Sequence, residues 1–292
     1  MRSSDIVWLL LLSALWGAAF IFLRIAAPLL DPGWLAFLRT GLAALTVIAY
    51  TTACGLPLEL RTRWRPYLYV GVLNASLPWL LYSYAGKVLP ASYMVILNSS
   101  TPMFVLLIAM MTGSEPVGRL RVLGLALGCV GVGLIVGLGP LEITLDAGLA
   151  VLLCLASALC YAFGGMAIRH HGEHQDSRVL TAGSMLLATV VLLPFMGPPP
   201  DPSALDLKVI AAIAALGMGC SGMGYLVYYR LVARVGASRT LTVTYLMPLF
   251  GTCYGVVLLG EPFGPGIAIG GITVLLATAL VTGVLGPRPA PR

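Results

Sequence analysis

ASYMVILNSSTPMFVLLIAMMTGSEPVG (residues 91–118) and ASRTLTVTYLMPLFGTCYGVVLLGEPFG (residues 237–264) align without a gap at a shift of 146 positions. Ala91/Ala237, Ser92/Ser238, Pro102/Pro248, Phe104/Phe250, Glu115/Glu261, Pro116/Pro262 and Gly118/Gly264 are identical pairs. The register continues outward, pairing Tyr82 with Tyr228 and Gly124 with Gly270, and SALWGAAF (13–20) faces SALCYAFG (157–164) at a shift of 144. A small apolar alphabet repeats itself by chance, but a proline and a Glu-Pro pair held in one register need more than composition. The chain reads as a duplication.

The duplicated stretch is apolar, and so is the rest. The 292 residues are 59% hydrophobic and 10% charged, with a mean hydropathy of +0.96, too little charge to cover the surface of a water-soluble domain. Uncharged runs such as Ile6 to Leu23, Val122 to Leu141, Ala147 to Ile168 and Val179 to Pro200 have about the 20-residue length that a ~30 Å hydrocarbon core asks of a helix. Pro and Gly breaks divide the chain into spans near 7–26, 32–53, 66–86, 91–112, 118–139, 146–168, 178–197, 207–229, 237–259 and 264–285. The first apolar run is too long for a signal peptide and has no small-x-small cleavage site, so it reads as an uncleaved helix. Five spans per half is an odd number, so the halves insert with opposite orientation. The expected fold is therefore an all-α integral membrane protein, with ten transmembrane helices as two five-helix inverted-topology repeats over residues 1–141 and 142–292.

Charge gives the orientation. With a cytoplasmic N-terminus, Arg2, Arg61, Arg63, Arg65, Arg119, Arg121, Arg169, Arg178, Arg230, Arg234, Arg239, Arg288 and Arg292 fall on the cytoplasmic side, against Lys87, Lys208, Arg24 and Arg39 on the other. Thirteen against four puts both termini inside a multi-pass cell (inner or plasma) membrane. The net charge of +6 forms no single patch, which excludes nucleic acid as a partner and leaves the lipid bilayer and a small-molecule solute. The six cysteines are scattered singly and read as packing residues. His170, His171 and His174 share one solvated loop, so no cofactor and no metal are expected.

ILNSSTPMF (96–104) places four hydrogen-bonding side chains and a proline in mid-membrane. A proline has no N–H to give the carbonyl four residues back, so Pro102 frees Asn98, Pro248 frees Thr244 and Pro78 frees Asn74. Each freed carbonyl needs a partner or a wet cavity. Asn98, Thr101 and Pro102, at i, i+3 and i+4, share one helix face and are expected to line such a cavity; Ser99 and Ser100 read as glue between helices. Gly217, Gly219, Gly222 and Gly224 permit close approach or bending. Among the aromatics, Trp16, Trp79, Tyr82, Tyr161, Tyr228 and Tyr245 are candidates for the cavity wall, while Tyr67, Tyr69, Tyr84 and Tyr93 read as the interface belt. The Glu-Pro pairs read as punctuation at helix ends.

No acid falls in mid-span, which disfavours cationic cargo and leaves no proton carrier inside the membrane. Arg39, seven residues past Pro32 and so about 10 Å into its helix, has three readings: an attractor for a carboxylate, a snorkelling side chain, or a partner of Asp31. Arg24, nearer the edge, reads as snorkelling.

With its ten spans, its inverted halves, SALWGAAFIFLR (13–24), LRTGLAAL (38–45) and ILNSSTPMFVLLIAMMTGSEP (96–116), the chain resembles the EamA-type branch of the drug/metabolite transporter superfamily over essentially its whole length. The resemblance implies a metabolite carrier, often an exporter, with a central cavity lined mainly by helices one, three, four, six, eight and nine. The expected activity is secondary transport of small neutral or zwitterionic solutes such as amino acids, by a monomer or homodimer. A drug- or nucleobase-type efflux carrier is the alternative. A membrane-embedded lipid-modifying enzyme would need an acid–base or metal cluster at the interface, and a channel would need charge rings; the sequence offers neither.

Overall fold

The computed structural model describes residues 3–113, 118–138, 144–171, 175–240 and 242–284. Arg2, Glu115, Pro116, Glu142, Glu173, His174, Arg288 and Arg292 lie outside the described residues, as do the side chains of Arg169, His170, His171, Ala237 and Ser238.

Every regular element among the described residues is helical. α1 (Ser3–Ala26), α2 (Pro32–Ala53) and α3 (Leu60–Gly71) open the chain; α3 runs through a π-helical segment, Val72–Ser76, into α4 (Leu77–Ala85). α5 (Ala91–Asn98), α6 (Thr101–Thr112), α7 (Arg119–Leu138), α8 (Leu145–His171) and α9 (Ser177–Leu192) follow. α10 (Leu207–Ala214) passes through a second π segment, Ala215–Met223, into α11 (Gly224–Val235); α12 (Ala237–Thr240), α13 (Val243–Leu259) and α14 (Pro265–Val281) complete the chain. Among the described residues, seven helical stretches are long and apolar enough to cross a membrane, and Val243–Leu259 and Pro265–Val281 are shorter apolar helices. The chain is a multi-pass membrane protein.

Local chemistry accounts for the ends and breaks. Asp31 caps α2 by accepting from the Gly33 N–H (2.8 Å), with Pro32 in the first turn, where its missing N–H costs nothing. α6 and α13 end on Gly113 and Gly260 at φ 62° and 66°, the left-handed cap that a Cβ would strain. Pro78 cannot donate to Asn74, and the chain there widens so that Leu77 donates to Val72, five residues back. The second π segment carries Gly217, Gly219 and Gly222.

One expectation changes. Asn98, Thr101 and Pro102 do not share the face of a continuous helix, because the helix stops at Asn98, turns through Ser99 and Ser100, and restarts with Pro102 in the first turn of α6. The Thr101 hydroxyl donates to the Asn98 carbonyl (2.8 Å), so that carbonyl is satisfied locally. The Ser100 hydroxyl donates to Leu97 (2.6 Å), within its own turn. The bond across helices instead runs from the Thr278 hydroxyl to the Ser99 carbonyl (2.9 Å).

Close packing joins early helices to late ones. α7 lies antiparallel on α14: a Cβ on Gly124 would meet Leu280 and Ala277, and one on Gly270 would meet Ile135. A Cβ on Gly71 would stand 2.4 Å from the Ser184 carbonyl oxygen of α9, and one on Gly217 would stand 2.6 Å from Leu42 of α2. Gly17 brings α1 onto the backbone of α13, and Gly251 brings α13 onto Val95 of α5. Between helices in lipid, contact of this kind replaces the hydrophobic drive available in water. Two tyrosines expected at the interface belt are core residues: Tyr67 sits against Gly183 with its hydroxyl bonded to Gln175, and Tyr93 is fully buried. Tyr69 and Tyr84 are exposed.

The ends of the bundle are pinned by polar contacts. At the end where α1 begins, the near end, Arg234 pairs with Asp5 (3.1 Å). At the far end the Asp31 carboxylate also receives Gly197 (3.2 Å), and the Arg24 guanidinium donates to the carbonyls of Gly86 (2.8 Å) and Lys87 (3.1 Å). Glu261 does more than punctuate. Its carboxylate accepts from the N–H groups of Ala91 (2.6 Å) and Ser92 (3.0 Å) and from the Ser92 hydroxyl (2.7 Å), capping α5 from the loop after α13. Gly255 leaves the room, since a Cβ there would lie 2.4 Å from the carboxylate. Glu261→Gln, which turns one acceptor into a donor facing N–H groups, is expected to cost about 1–3 kcal/mol; a fall in the thermal unfolding temperature of the detergent-purified protein reads it, and an unchanged transition contradicts the cap.

Candidate functional site

Arg39 organises the interior. It lies on α2, two turns inside the far end, where helix propensity is no obstacle but the charge needs company. Its Nε–H donates to the Ser221 hydroxyl of the second π segment (3.1 Å), and its guanidinium lies over the Trp79 ring, 4.0 Å from the centroid. Trp79 and Ser221 are each 2% exposed, so the charged group is held between two buried side chains, yet Arg39 is only half-buried. No carboxylate among the described residues pairs with it; Asp31, the partner considered from sequence, is occupied by Gly33 and Gly197. Snorkelling is likewise not what the side chain does.

Aromatic rings extend from this point. The Trp79 Nε1–H donates to the Tyr161 hydroxyl (2.9 Å) of α8, Tyr161 stacks on Tyr82 (6.5 Å between centroids), and Phe20 meets Tyr82 edge-on (5.3 Å). The Tyr82 hydroxyl donates to Asn98 Oδ1 (2.9 Å). From Ala91 to Ser100, Asn98 is the one residue that is not buried, and the Tyr82 hydroxyl holds its amide oxygen. On the near-end side, Trp16 contacts Tyr225 (5.9 Å) and Tyr228 (5.6 Å), and Tyr225 stacks on Tyr229, whose hydroxyl bonds Thr181. Tyr82, Tyr161 and Tyr225 lie within electrostatic reach of Arg39. Gly224 gives Trp16 its place, for a Cβ there would stand 2.7 Å from the indole nitrogen.

The structure thus brings together Trp16, Arg39, Trp79, Tyr82, Asn98, Tyr161 and Tyr228 of the residues proposed from sequence. Asn74 borders them, its amide donating to Val70 (3.3 Å) and packed on Gly164. Thr101 and Pro102 stay beside Asn98 in the turn. Tyr245 lies apart: its hydroxyl bonds Thr282 and reaches the Thr278 carbonyl (3.4 Å), so it serves the α13–α14 contact. Pro248 is buried in the part of α13 that closes on Gly17, and Thr244 is half-buried one turn earlier. Phe20, Ser221 and Tyr225 belong to the cluster and were not proposed as site residues. Tyr225 stands 146 positions after Trp79, a signal the duplication carries. Ser221 has Ala75 at the matching position, and nothing local marks it.

The arrangement offers a guanidinium with no carboxylate partner, an amide, phenol hydroxyls and ring faces, with no nucleophile–base pair among the described residues.

The profile of the EamA-like transporter family matches residues 3–137 and again residues 148–283, most of the chain. The chain belongs to the EamA-like transporter family. An uncharacterized transporter of Archaeoglobus fulgidus is 29% identical over 97% of this chain and 98% of its own. A probable amino-acid metabolite efflux pump of Salmonella typhimurium is 23% identical over 96% of this chain and 94% of its own. A crystal structure sharing 19% identity superposes over all of both chains with a TM-score of 0.69, which bears on the fold alone. As an EamA-like protein the chain is a membrane transporter of small solutes, and these two relatives are named as a transporter and an efflux pump.

Proposed function

We propose that this EamA-like protein is an alternating-access carrier for small neutral or zwitterionic solutes such as amino acids, acting as an exporter or exchanger, with the Arg39 guanidinium taking the solute carboxylate. The observation that carries this reading is Arg39 itself: a cation held by Ser221 and Trp79, unpaired by any carboxylate among the described residues, within a cluster of aromatic rings. Leaving an arginine there without a counter-ion costs too much for packing alone. A bound carboxylate supplies the counter-ion, and a planar fork of donors matches it two oxygens at a time. The name of the Salmonella relative points the same way.

The proposed frame is ten spans in two inverted halves, residues 1–141 and 142–292, set in the cell membrane with both termini cytoplasmic. Three observations support it. The family profile matches the chain twice in succession. Exchanging the halves preserves the close contacts: Gly71 on α9 and Gly217 on α2 are 146 positions apart, as are Gly124 and Gly270 across α7 and α14. The two π segments also correspond, since Val72–Ser76 shifted by 146 falls inside Ala215–Met223. Paired wide turns beside one central site suit a fold in which one half rocks against the other.

The test is counterflow in proteoliposomes across amino acids, nucleobases and neutral drugs, with each leading amino acid run against its methyl ester. Free acids are expected to exchange and esters to fail; exchange confined to nucleobases or drugs rejects the reading in favour of the drug-type carrier. Asn98→Leu is expected to cut counterflow at least tenfold in a protein that still inserts and purifies normally, because it removes the amide and leaves the Tyr82 hydroxyl without its acceptor; normal counterflow removes Asn98 from the site.

A further inference from the structure

A cavity lies away from the Arg39 site. It occupies about 510 Å³ at the far end of the bundle, where Arg24, Lys208, Asp206 and Glu261 line it together with apolar residues such as Leu29 and Leu259. The helices that carry the central site also carry this one. On α1, Arg24 is eight residues beyond Trp16, about 12 Å along the axis at 1.5 Å per residue. On α10 and the π segment that follows, Lys208 precedes Ser221 by thirteen residues. Between the two sites along these helices stand Leu23, Ile213 and Leu216, all buried, an apolar seal between the cavity and the cluster around Arg39.

The four charged residues are not equally engaged. The Glu261 carboxylate is filled by three donors from α5. Asp206 uses one oxygen, Oδ1, to cap α10 through the Val209 N–H (2.8 Å). Arg24 commits one terminal nitrogen to two carbonyls, leaving its remaining N–H groups available. Lys208 makes no hydrogen bond or ion pair among the described residues, although Asp206 is two residues away. The cavity therefore presents two cationic donors and one open carboxylate oxygen around an apolar lining, the complement of a zwitterion with a hydrocarbon side chain. We propose that this cavity is a second solute site, a vestibule at the far mouth of the carrier that holds the carboxylate of the zwitterionic cargo on Lys208 and Arg24 before it passes, or after it has passed, the apolar seal. The proposal rests on the central reading of Arg39 as a carboxylate receptor.

The experiment uses the full-length protein in proteoliposomes, with the fastest amino acid of the counterflow panel and its methyl ester as probes. Lys208→Gln and Arg24→Gln are each expected to raise KM for the free acid about fivefold with kcat unchanged. The KM of any ester transported is expected to stay as in the wild type. Because both cations are solvent-accessible, the effect is expected to shrink as sodium chloride is raised from low to high concentration. Arg24 also holds Gly86 and Lys87, so Lys208→Gln, a change at an exposed side chain, carries the decision if the Arg24 variant fails to purify. An unchanged KM in Lys208→Gln, or equal changes for acid and ester, overturns the vestibule. If that happens while Arg39→Gln still lowers acid transport far more than transport of neutral solutes, the vestibule alone fails. If the wild type itself shows no preference for acid over ester, the central reading fails with it.

Discussion

Arg39→Gln is expected to lower counterflow of carboxylate-bearing solutes by about 100-fold, while neutral solutes that the carrier accepts change by less than about threefold. The magnitude comes from the bonds lost. A hydrogen bond to a charged group contributes about 1.5–3 kcal/mol, and a forked guanidinium–carboxylate contact makes two; a net loss of about 2.8 kcal/mol is about a hundredfold. Glutamine keeps the length and some of the packing on Trp79 but not the charge. Arg39→Lys keeps the charge but not the fork: a lysine cannot at once donate through an Nε to Ser221, lie flat over the ring and present a second edge. It is expected to recover only part of the loss. Equal losses for acids and neutral solutes in Arg39→Gln would instead make Arg39 a structural tie between α2 and the second π segment.

Gly71→Ala is expected to produce a large loss of stability from a single added carbon. The new Cβ would stand 2.4 Å from the Ser184 carbonyl oxygen and 3.2 Å from its carbon, on the backbone of α9, where no side chain can turn away. The helices must separate, undoing contacts along α3 and α9 including the seat of Tyr67 under Gly183. Overpacking of this kind costs about 1–3 kcal/mol, and the rigid neighbour puts this case at the upper end. The measurement is thermal unfolding in detergent, with Gly219→Ala and Gly165→Ala as controls, since a Cβ at either position meets nothing within 4 Å. Gly71→Ala unfolding with the controls would mean that the helices part cheaply.

The duplication and the hydropathy were legible because both are written locally, in runs of about 20 residues and in one shared register. Most of the polar cluster could be proposed from sequence because polar and aromatic groups in mid-membrane are few. Their partners could not. Ser221 meets Arg39 across 182 positions, and nothing near Ser221 marks it out. Tyr67 and Tyr93 look like belt tyrosines by composition and became core residues because neighbouring helices closed over them. Tyr245 sits in the duplicated stretch beside the proline yet turns to α14, because a residue's face depends on the helix's rotation as well as its depth.

What the sequence by itself determined is a membrane chain of apolar helices belonging to one transporter family, since twenty apolar residues in lipid must satisfy their own backbone and have little choice but to be helical. Only the tertiary structure decided which charges are used up and which are available. Glu261 is consumed as a cap and Asp31 as another, while Arg39 is left with no carboxylate among the described residues. That distinction depends on the last few ångströms between helices remote in sequence, where the cost of an unsatisfied polar group is settled.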